Sequence, residues 1–278
     1  MNEIIEMLSF SFMQRALIVG IPVALCAALL GVSLVLKRYA MIGDGLSHVG
    51  FGALAIASAF GWAPLWVAVP VVVIAAFLLL RLSESSKIKG DSAIAIISSA
   101  ALAIGVVIAT VGNGMNTDLN SYLFGSILAV SNQDVILSLS LSAVVLAVFI
   151  LFYSKIFAVT FDEGFSKATG VNSGAYNMLI ALLTALTIVI GMRIMGTLLI
   201  SSLIIFPALT SMRLCKTYKS VVICSAVVSV LCFITGVFSS YILETPTGAT
   251  IVIINLIAFL CFALISKIKS WRFMYERG

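Results

Sequence analysis

Residues 37–57 read KRYAMIGDGLSHVGFGALAIA, two bases followed by a long apolar run. The pattern predicts a membrane-spanning helix that starts at a cytoplasmic surface, because lysine and arginine favour that side. The run carries Asp44 and His48, and His48 is the only histidine in the 278 residues. Residues four apart lie on one helical face, so both side chains can reach one cation. Ionisable groups are expensive in lipid, which makes this stretch the first candidate for a functional site.

The overall composition supports a membrane protein. Hydrophobic residues make up 62% of the chain, charged residues 10%, and the mean hydropathy is +1.22. A soluble domain has about 25% charged residues. We therefore expect an all-α polytopic membrane protein with a single domain over residues 1–278. The first residues include Glu3 and Glu6 and no basic cluster before the apolar run, which argues against a cleaved signal peptide.

Nine segments are long and apolar enough, or nearly so, to span about 30 Å of hydrocarbon, so we expect about nine spans, or eight if one weak segment is re-entrant. Fourteen of the sixteen lysines and arginines follow alternate segments, which puts them on one side of the membrane. Only Arg15 and Arg193 fall on the other side. The pattern predicts an outside N-terminus and a cytoplasmic C-terminus. The predicted spans are 14–36, 41–60, 63–80, 91–111, 135–153, 173–192, 195–212, 218–241 and 247–266.

Other features of the sequence have structural interpretations. The net charge of +5 belongs to this topological pattern and does not indicate a nucleic-acid partner. The five cysteines are scattered without CxxC spacing, so we expect them to be packing residues. Pro207 lies in the seventh span and predicts a helix kink, with Ser201 and Ser202 bonding freed backbone groups.

The long outer connection, residues 112–134, has an apolar centre at 122–130 that is too short to cross a bilayer. We expect a short interfacial or re-entrant helix there. Asp118 and Asp134 lie near the outer mouth, where they could attract cations, but solvated loop acids are the more common case.

The cytoplasmic connection at 154–172 reads SKIFAVTFDEGFSKATGVN. Thr160 and Glu163 match a capping box, and Gly170 suits a left-handed helix stop. A short polar helix of about two turns is expected between them. Asp162 and Glu163 suit the positive end of its dipole. The segment is either an ordinary connector or a docking helix for a cytoplasmic partner.

Three interpretations of Asp44 and His48 remain open from the residues alone: a structural pair, a proton relay, or a site for metal passage. Zinc takes about four ligands, and imidazole with carboxylate also suits manganese or ferrous iron. With one histidine per chain, a two-fold dimer would complete the set. On a helical wheel Gly45 and Gly52 flank the pair, where another helix can approach closely.

Several enzyme classes are disfavoured by the same residues. The chain contains no GxxxxGK[ST] and no HExxH motif, so it carries neither a Walker-type nucleotide site nor that zinc-protease site. A hydrolase built on Ser47, His48 and Asp44 is disfavoured, since consecutive helical residues point apart.

Three stretches resemble the membrane permease subunits of metal-ion ABC importers of the zinc/manganese type. Residues 37–57 resemble the family's Gly-Asp-x-x-Ser-His run. Residues 161–172, FDEGFSKATGVN, are similar to its ATPase-coupling loop. Residues 195–214, MGTLLISSLIIFPALTSMRL, are similar to its Gly-x-Leu-Leu…Pro-Ala span.

The resemblance implies a division of labour. Two permease copies would form the path, two cytoplasmic ABC ATPases would hydrolyse ATP, and an extracellular lipoprotein or periplasmic protein would deliver the metal. Asp44 and His48 would contact the ion, and residues 160–171, with Asp162, Glu163 and Gly170, would couple to the ATPase. The protein would lie in a bacterial cytoplasmic membrane. It would itself be no enzyme, with the metal as its cargo and no permanent cofactor.

The identity of the metal is less constrained by the sequence. Imidazole with carboxylate suits zinc somewhat better than manganese, with iron as a further alternative. A proton-coupled secondary transporter that uses the same two side chains is the main rival function.

Overall fold

The computed structural model describes residues 9–85, 90–113 and 132–275, together with Met7, Leu123 and Gly125. Eleven helices account for nearly all of this part of the chain, as the apolar composition predicts. They are α1 (Ser11–Leu36), α2 (Ala40–Ala59), α3 (Pro64–Ser85), α4 (Gly90–Asn113), α5 (Asn132–Leu151), α6 (Tyr153–Phe161), α7 (Glu163–Ala168), α8 (Ser173–Met195), α9 (Thr197–Met212), α10 (Tyr218–Leu243) and α11 (Thr247–Tyr275).

The helices divide into an inner and an outer group. More than half of the apolar core of α1, α2 and α8 is buried, whereas less than a third is buried in α3, α4, α5 and α11. Apolar side chains of the outer helices therefore face outward, as lipid contact requires. Because the inner helices include α2, the candidate site lies on an element held from several sides.

Eight helices of the described chain are long and apolar enough to cross a membrane. The seventh predicted span is the exception, since α9 has 16 residues, about 24 Å of helix. Eleven of its residues are buried against other helices, so its short length exposes little backbone to lipid. Gly196, at a φ of 83°, separates α9 from α8.

Contacts between helices show that α9 runs in the direction expected of a seventh span. A side chain added at Gly43 in α2 would lie 3.3 Å from Ile204, and Ser47 bonds Ser201 at 3.0 Å. Advancing along α2 therefore means going back along α9, so the two helices are antiparallel. Spans two and seven must be antiparallel if each span crosses the membrane.

Two other pairs of neighbouring helices also have the relative directions that alternating membrane crossings require. The α1 and α10 helices are antiparallel, because Ser225 bonds the carbonyl of Ala28 while Ser229 bonds that of Ala24. The α2 and α4 helices are parallel, since Gly45 faces Ile94 and Gly52 faces Ala101. The relative directions agree with nine alternating crossings. Which face is cytoplasmic stays a prediction from charge.

The fifth span and the outer connection differ in part from the prediction. The helix runs over Asn132–Leu151 and is followed by a separate nine-residue helix, Tyr153–Phe161. The predicted short helix at 122–130 and the residue Asp118 lie outside the described residues, apart from Leu123 and Gly125.

The expectation that Asp134 is a solvated loop acid is wrong. Its carboxylate lies in the first turn of α5, is 8% exposed, and binds Arg193 of α8 at 2.8 Å. A carboxylate in this setting is retained only with a partner, since removing it from water costs several kcal/mol. The pair joins α5 to α8 at the end of the bundle away from α7.

Pro207 does not interrupt the seventh span. It is buried inside α9, and the helix continues through it without a break over Thr197–Met212. One turn later, Ser211 donates to the carbonyl of Pro207 at 2.8 Å, which is an ordinary bond within a helix. Helix α9 therefore does not end at Pro207, and the predicted kink of its axis stays a prediction.

The two serines before this proline do not act as expected. A proline lacks the amide that would bond the carbonyl four residues earlier, here that of Leu203. Ser202 instead donates to the carbonyl of Leu199, and Ser201 bonds Ser47 of α2. The prediction that these hydroxyl groups bond the backbone freed by Pro207 is wrong, because both are occupied elsewhere.

Candidate metal path and cytoplasmic segment

Helix α2 is buried on nearly every side. Every residue between Ile42 and Ala55 is described, and all but Asp44 and His48 are buried. The side chains of these two residues are 40% and 26% exposed. Between Ile42 and Ala55, helix α2 thus turns its apolar positions inward and is open only at its two ionisable ones.

The two side chains point to the same place. His48 Nε2 lies 3.6 Å from Asp44 Oδ2, too long for a good hydrogen bond. His48 Nδ1 is buried and has no hydrogen-bond partner in the described structure. The arrangement leaves an imidazole nitrogen and a carboxylate oxygen side by side, able to bind a shared ligand.

The backbone beneath the pair is held by neighbouring helices. Ser47, fully buried, donates to the carbonyl of Asp44 at 2.7 Å and contacts Ser201 of α9. A carbon added at Gly52 would lie 2.7 Å from the carbonyl oxygen of Ala101 in α4. The pair therefore lies on a fixed support.

The predicted close approach at Gly45 and Gly52 is confirmed, but the neighbour is α4 of the same chain. Gly43 packs against α9 and Gly50 against α8. All four glycines of this stretch are thus used within one chain, so they do not mark where a second copy would approach. The open side of α2 is the side of Asp44 and His48.

The described part of one chain does not by itself complete a metal site. Among the described residues, no group of three or more His, Cys, Asp and Glu side chains is placed to hold a metal. Asp44 and His48 would therefore give two candidate ligands, and a tight zinc site needs about four.

The segment at 154–172, which the charge pattern predicts to be cytoplasmic, folds differently from its predicted capping box. Thr160 lies in the last turn of α6, and Asp162 is the cap of α7, accepting a hydrogen bond from the amide of Phe165 at 2.8 Å. Asp162 is the cap instead of Thr160 because its φ of −146° is the extended conformation that an N-cap requires, whereas Thr160 is helical. Gly170, with a φ of 82°, follows α7 as predicted.

Glu163 is bound on several sides. One carboxylate oxygen lies 3.3 Å from Lys37 Nζ and accepts from Asn177 at the same distance. The other lies 2.9 Å from Lys167 and accepts from Ser173 at 3.4 Å. The short helix α7 is thereby attached to the end of α1 and the start of α8.

These contacts lower the pKa of Glu163 to about 2, chiefly through the hydrogen bond from Lys167, with Asn177 and Lys37 adding to it against partial burial. A depressed carboxyl pKa stabilises the folded state above the ordinary value of about 4.5, and this contribution is lost as pH falls through about 2. The α7 attachment is therefore charged at every physiological pH.

We expect Glu163 to remain ionised at pH 4, where an ordinary glutamate is largely protonated. The infrared band of protonated carboxyl groups, taken as the difference between the wild type and Glu163→Gln, should gain no Glu163 signal until pH falls below about 3. A signal already half developed near pH 4.5 would contradict the described contacts.

The most exposed large apolar side chains of residues 160–171 are those of two phenylalanines. Phe161 is 74% exposed and Phe165 65% exposed. Ser166, next to Phe165, is buried, and Asp162 is occupied as a cap. Aromatic residues are enriched in the cores of protein interfaces, so the surface has the character of a docking site.

Comparison with known proteins decides the family. Residues 9–266 match the model of the ABC 3 transport family. The chain belongs to the ABC 3 transport family. The resemblance found in the sequence is therefore confirmed, and it extends over nearly the whole chain. In ABC transporters of this kind the ATPase is a separate subunit, so this chain is a transport subunit and is not itself the enzyme.

Individual relatives of this ABC 3 protein agree. The chain is 34% identical over 273 residues to the manganese transport system membrane protein MntC of Halalkalibacterium halodurans, covering 98% of this chain and 94% of that protein. It is 31% identical over 250 residues to the zinc uptake system membrane protein ZnuB of Haemophilus influenzae, covering 90% and 96%. The relatives thus carry both metals in their names.

A solved structure supports the fold of this ABC 3 protein. The structure of PsaBC from Streptococcus pneumoniae in complex with Fab matches with a TM-score of 0.84 at 30% identity, covering 93% of each chain. The all-helical membrane fold predicted from composition is thereby confirmed.

Sequence reasoning missed Lys37 and Asn177, which bind Glu163, and the exposure of Phe161 and Phe165. Lys37 was interpreted only as a marker of topology, and its position just before the Asp44 stretch was the signal available. Its partner lies 126 residues away, which no local pattern indicates.

Proposed function

We propose that this ABC 3 protein is the permease subunit of an ATP-driven importer of divalent transition-metal ions, with Asp44 and His48 as ligands in the path. One observation carries the proposal: in an otherwise buried stretch of α2, only these two side chains are open. A carboxylate facing lipid costs several kcal/mol, so this side of α2 must meet water or protein.

The separation of the two donor atoms supports a shared ion. Two donors about 2.0–2.1 Å from a tetrahedral zinc ion lie about 3.4 Å apart. His48 Nε2 and Asp44 Oδ2 are 3.6 Å apart. A second copy related by a two-fold axis would bring a second pair, giving four ligands, so we propose a homodimer with the path on its axis.

Imidazole with carboxylate favours zinc over manganese, which accepts more oxygen ligands, and zinc is the proposed cargo. Manganese is the second candidate, because relatives such as MntC are named for it. Ferrous iron tolerates the same donors. A site of few ligands also suits transport, since an ion must leave as well as enter.

The partners follow from the family and the surface. A cytoplasmic ABC ATPase dimer would dock on residues 160–171, where Asp162 and Gly170 shape the helix ends and Glu163 fixes the helix to the bundle. An extracellular or periplasmic protein would deliver the metal at the opposite end. The proposed location is the bacterial plasma membrane.

The mechanism is alternating access. Closure of the ATPase dimer on ATP moves α7, the permease halves rock about the two-fold axis, and the ion passes from the delivery protein to Asp44 and His48 and then inward. The fixed support of the pair by α4, α8 and α9 makes rigid-body movement the natural mode.

The metal is tested with the reconstituted complex of permease, ATPase and delivery protein. Zinc, manganese and ferrous iron are compared for stimulation of ATP hydrolysis at equal free concentrations. The proposal expects the largest stimulation with zinc. Stimulation by manganese alone would assign the second candidate, and stimulation by none of the three would contradict the proposed function.

We expect the double variant Phe161→Ser, Phe165→Ser to lose the ATPase, because it removes two exposed aromatic anchors without altering the buried face of α7. ATPase co-purifying with the permease should fall at least about 30-fold, since two anchors worth at least about 1 kcal/mol each contribute at least about 2 kcal/mol.

The matched control is Phe60→Ser, an equally apolar residue that is 64% exposed at the other end of α2. It should leave co-purification unchanged. Equal losses in both variants would mean that the effect is general and that α7 is not the docking site.

A further inference from the structure

We propose that Lys37 is a positioning residue that carries movement of the cytoplasmic helix α7 to α2, and so to Asp44 and His48. The inference rests on the proposed function and adds a part to it. The observations are the burial of the Lys37 ammonium, its partners on α7 and α8, and its place in the turn that starts α2.

The side chain of Lys37 is buried within the protein. It is 7% exposed, and its ammonium donates to Asn177 Oδ1 at 2.6 Å and to Glu163 Oε2 at 3.3 Å. The same ammonium lies 5.8 Å from the centre of the Tyr39 ring, within cation–π range. A buried charge stays close to its partners, because an unpaired charge in the low-dielectric protein interior is strongly destabilising.

The turn from Lys37 to α2 is short and fully bonded. The amide of Lys37 donates to Ser33, that of Arg38 to Val35, and that of Tyr39 to Leu34. Arg38 adopts a φ of 61°, and this left-handed conformation makes the turn between α1 and α2 tight. Helix α2 begins directly after Tyr39, so a shift of Lys37 shifts α2.

The candidate path lies close to this turn. Asp44 is four residues into α2, about 6 Å along its axis. A helix transmits such a displacement because its backbone is bonded throughout. A chain of direct contacts thus joins the docking segment to Asp44, through Glu163, Lys37 and the first turn of α2.

Glu163 has different surroundings on its two sides. Lys167, on the solvent side, is 65% exposed, whereas Lys37 is on the buried side. An exposed pair of this kind contributes little, and a buried pair holds its geometry. Asn177 and Ser173 connect Glu163 to α8, whereas its connection to the turn that starts α2 depends on Lys37.

The difference in burial between Lys37 and Glu163 also decides which of the two residues should be substituted. Lys37→Met removes the buried charge and leaves Glu163, which is about a third exposed, with Lys167 and Asn177. Removing Glu163 would leave a buried ammonium, which is the costlier change. Lys37→Met is therefore the variant expected to fold.

In proteoliposomes holding permease, ATPase and delivery protein, we expect Lys37→Met to retain ATPase co-purification and basal ATP hydrolysis. Metal-stimulated hydrolysis and metal uptake should each fall at least about 10-fold, a factor equal to about 1.4 kcal/mol of coupling. The charge swap Lys37→Glu, Glu163→Lys, made together with Lys167→Glu, should recover most of the uptake, because it restores both ion pairs of residue 163 in reverse.

The matched control is Arg38→Met, which removes the same charge one residue away from an exposed side chain. It should transport like the wild type. Uptake by Lys37→Met within about twofold of the wild type, or a loss that the charge swap does not reduce, would overturn the inference.

If Lys37→Met does not accumulate, Lys37→Gln, which can still donate to Asn177, is assessed by the same criteria. If neither accumulates, the charge swap alone decides, and a swap without transport overturns the inference. Failure of the proposed function is separate, because then the wild-type complex itself shows no metal-stimulated hydrolysis.

Discussion

Replacing His48 by alanine is expected to abolish metal uptake while leaving the complex assembled. His48 is the only histidine in the chain, so no other imidazole can take its place. Loss of even a supporting residue of a metal site typically costs about 10–100-fold in affinity, and a two-fold dimer loses two ligands at once. We expect uptake to fall by about 100-fold or more, and Asp44→Ala to act similarly.

The measurement is initial uptake of radioactive zinc or manganese into proteoliposomes, normalised to the assembled complex. Met41→Leu is the matched control, since Met41 is 44% exposed one turn before Asp44 on the same side of α2. It should transport normally. Wild-type uptake by His48→Ala at normal expression would remove His48 from the path.

Replacing Gly31 by alanine is expected to give the largest loss of stability among single substitutions that touch no ionisable group. An added carbon at Gly31 would overlap the carbonyl oxygen of Ile204, where α1 and α9 meet backbone to backbone. A backbone group cannot turn aside as a side chain can, so the helices must separate. Overpacking of this kind costs about 3 kcal/mol.

For a chain of this size a loss of about 3 kcal/mol lowers the melting temperature by roughly 6–12 °C. The apparent melting temperature in detergent tests it. Gly174→Ala is the control, because its added carbon meets only Asn172 at an ordinary 3.6 Å and alanine favours the helix. An unchanged melting temperature for Gly31→Ala would mean that α1 and α9 do not pack so closely.

Local patterns in the sequence predicted the features that depend on nearby residues. Apolar length and the alternation of bases gave the spans and their relative directions. The spacing of Asp44 and His48 placed them on one face of α2. Gly170 was identified because a left-handed helix stop is a requirement on a single residue.

Features that depend on distant residues could not be predicted. Asp134 resembled a loop acid because its partner, Arg193, lies on another helix. A glycine such as Gly45 indicates that another helix can approach closely, but it does not indicate which helix, here α4. Lys37 and Glu163 are ordinary residues singly and acquire their role from a contact between chain segments far apart.

The serines before Pro207 were misread for the same reason. Their distance along α9 from the proline suggested that they would bond the freed backbone. Ser201 instead bonds Ser47, which lies 154 residues away on α2. A hydroxyl group on a buried helix takes the partner that packing offers, and packing is set by helices distant in the sequence.

The capping error has a more local cause. Residues 160–163 match the capping-box pattern, but Thr160 continues α6, so it lacks the extended backbone of a cap. Asp162, two residues later, has that conformation and a free carboxylate oxygen to offer. Whether Thr160 or Asp162 caps α7 depends on where the preceding helix ends, and the capping-box pattern does not give that position.

The central claim is that this ABC 3 protein passes a metal ion on its open α2 face under the control of ATP. The most direct test is metal accumulation in proteoliposomes that hold the permease with its ATPase and delivery protein. We predict accumulation that requires ATP, persists when a protonophore removes the proton gradient, and is lost in Asp44→Ala and His48→Ala. Accumulation by the permease alone that collapses with the proton gradient would contradict the account and identify a proton-coupled carrier.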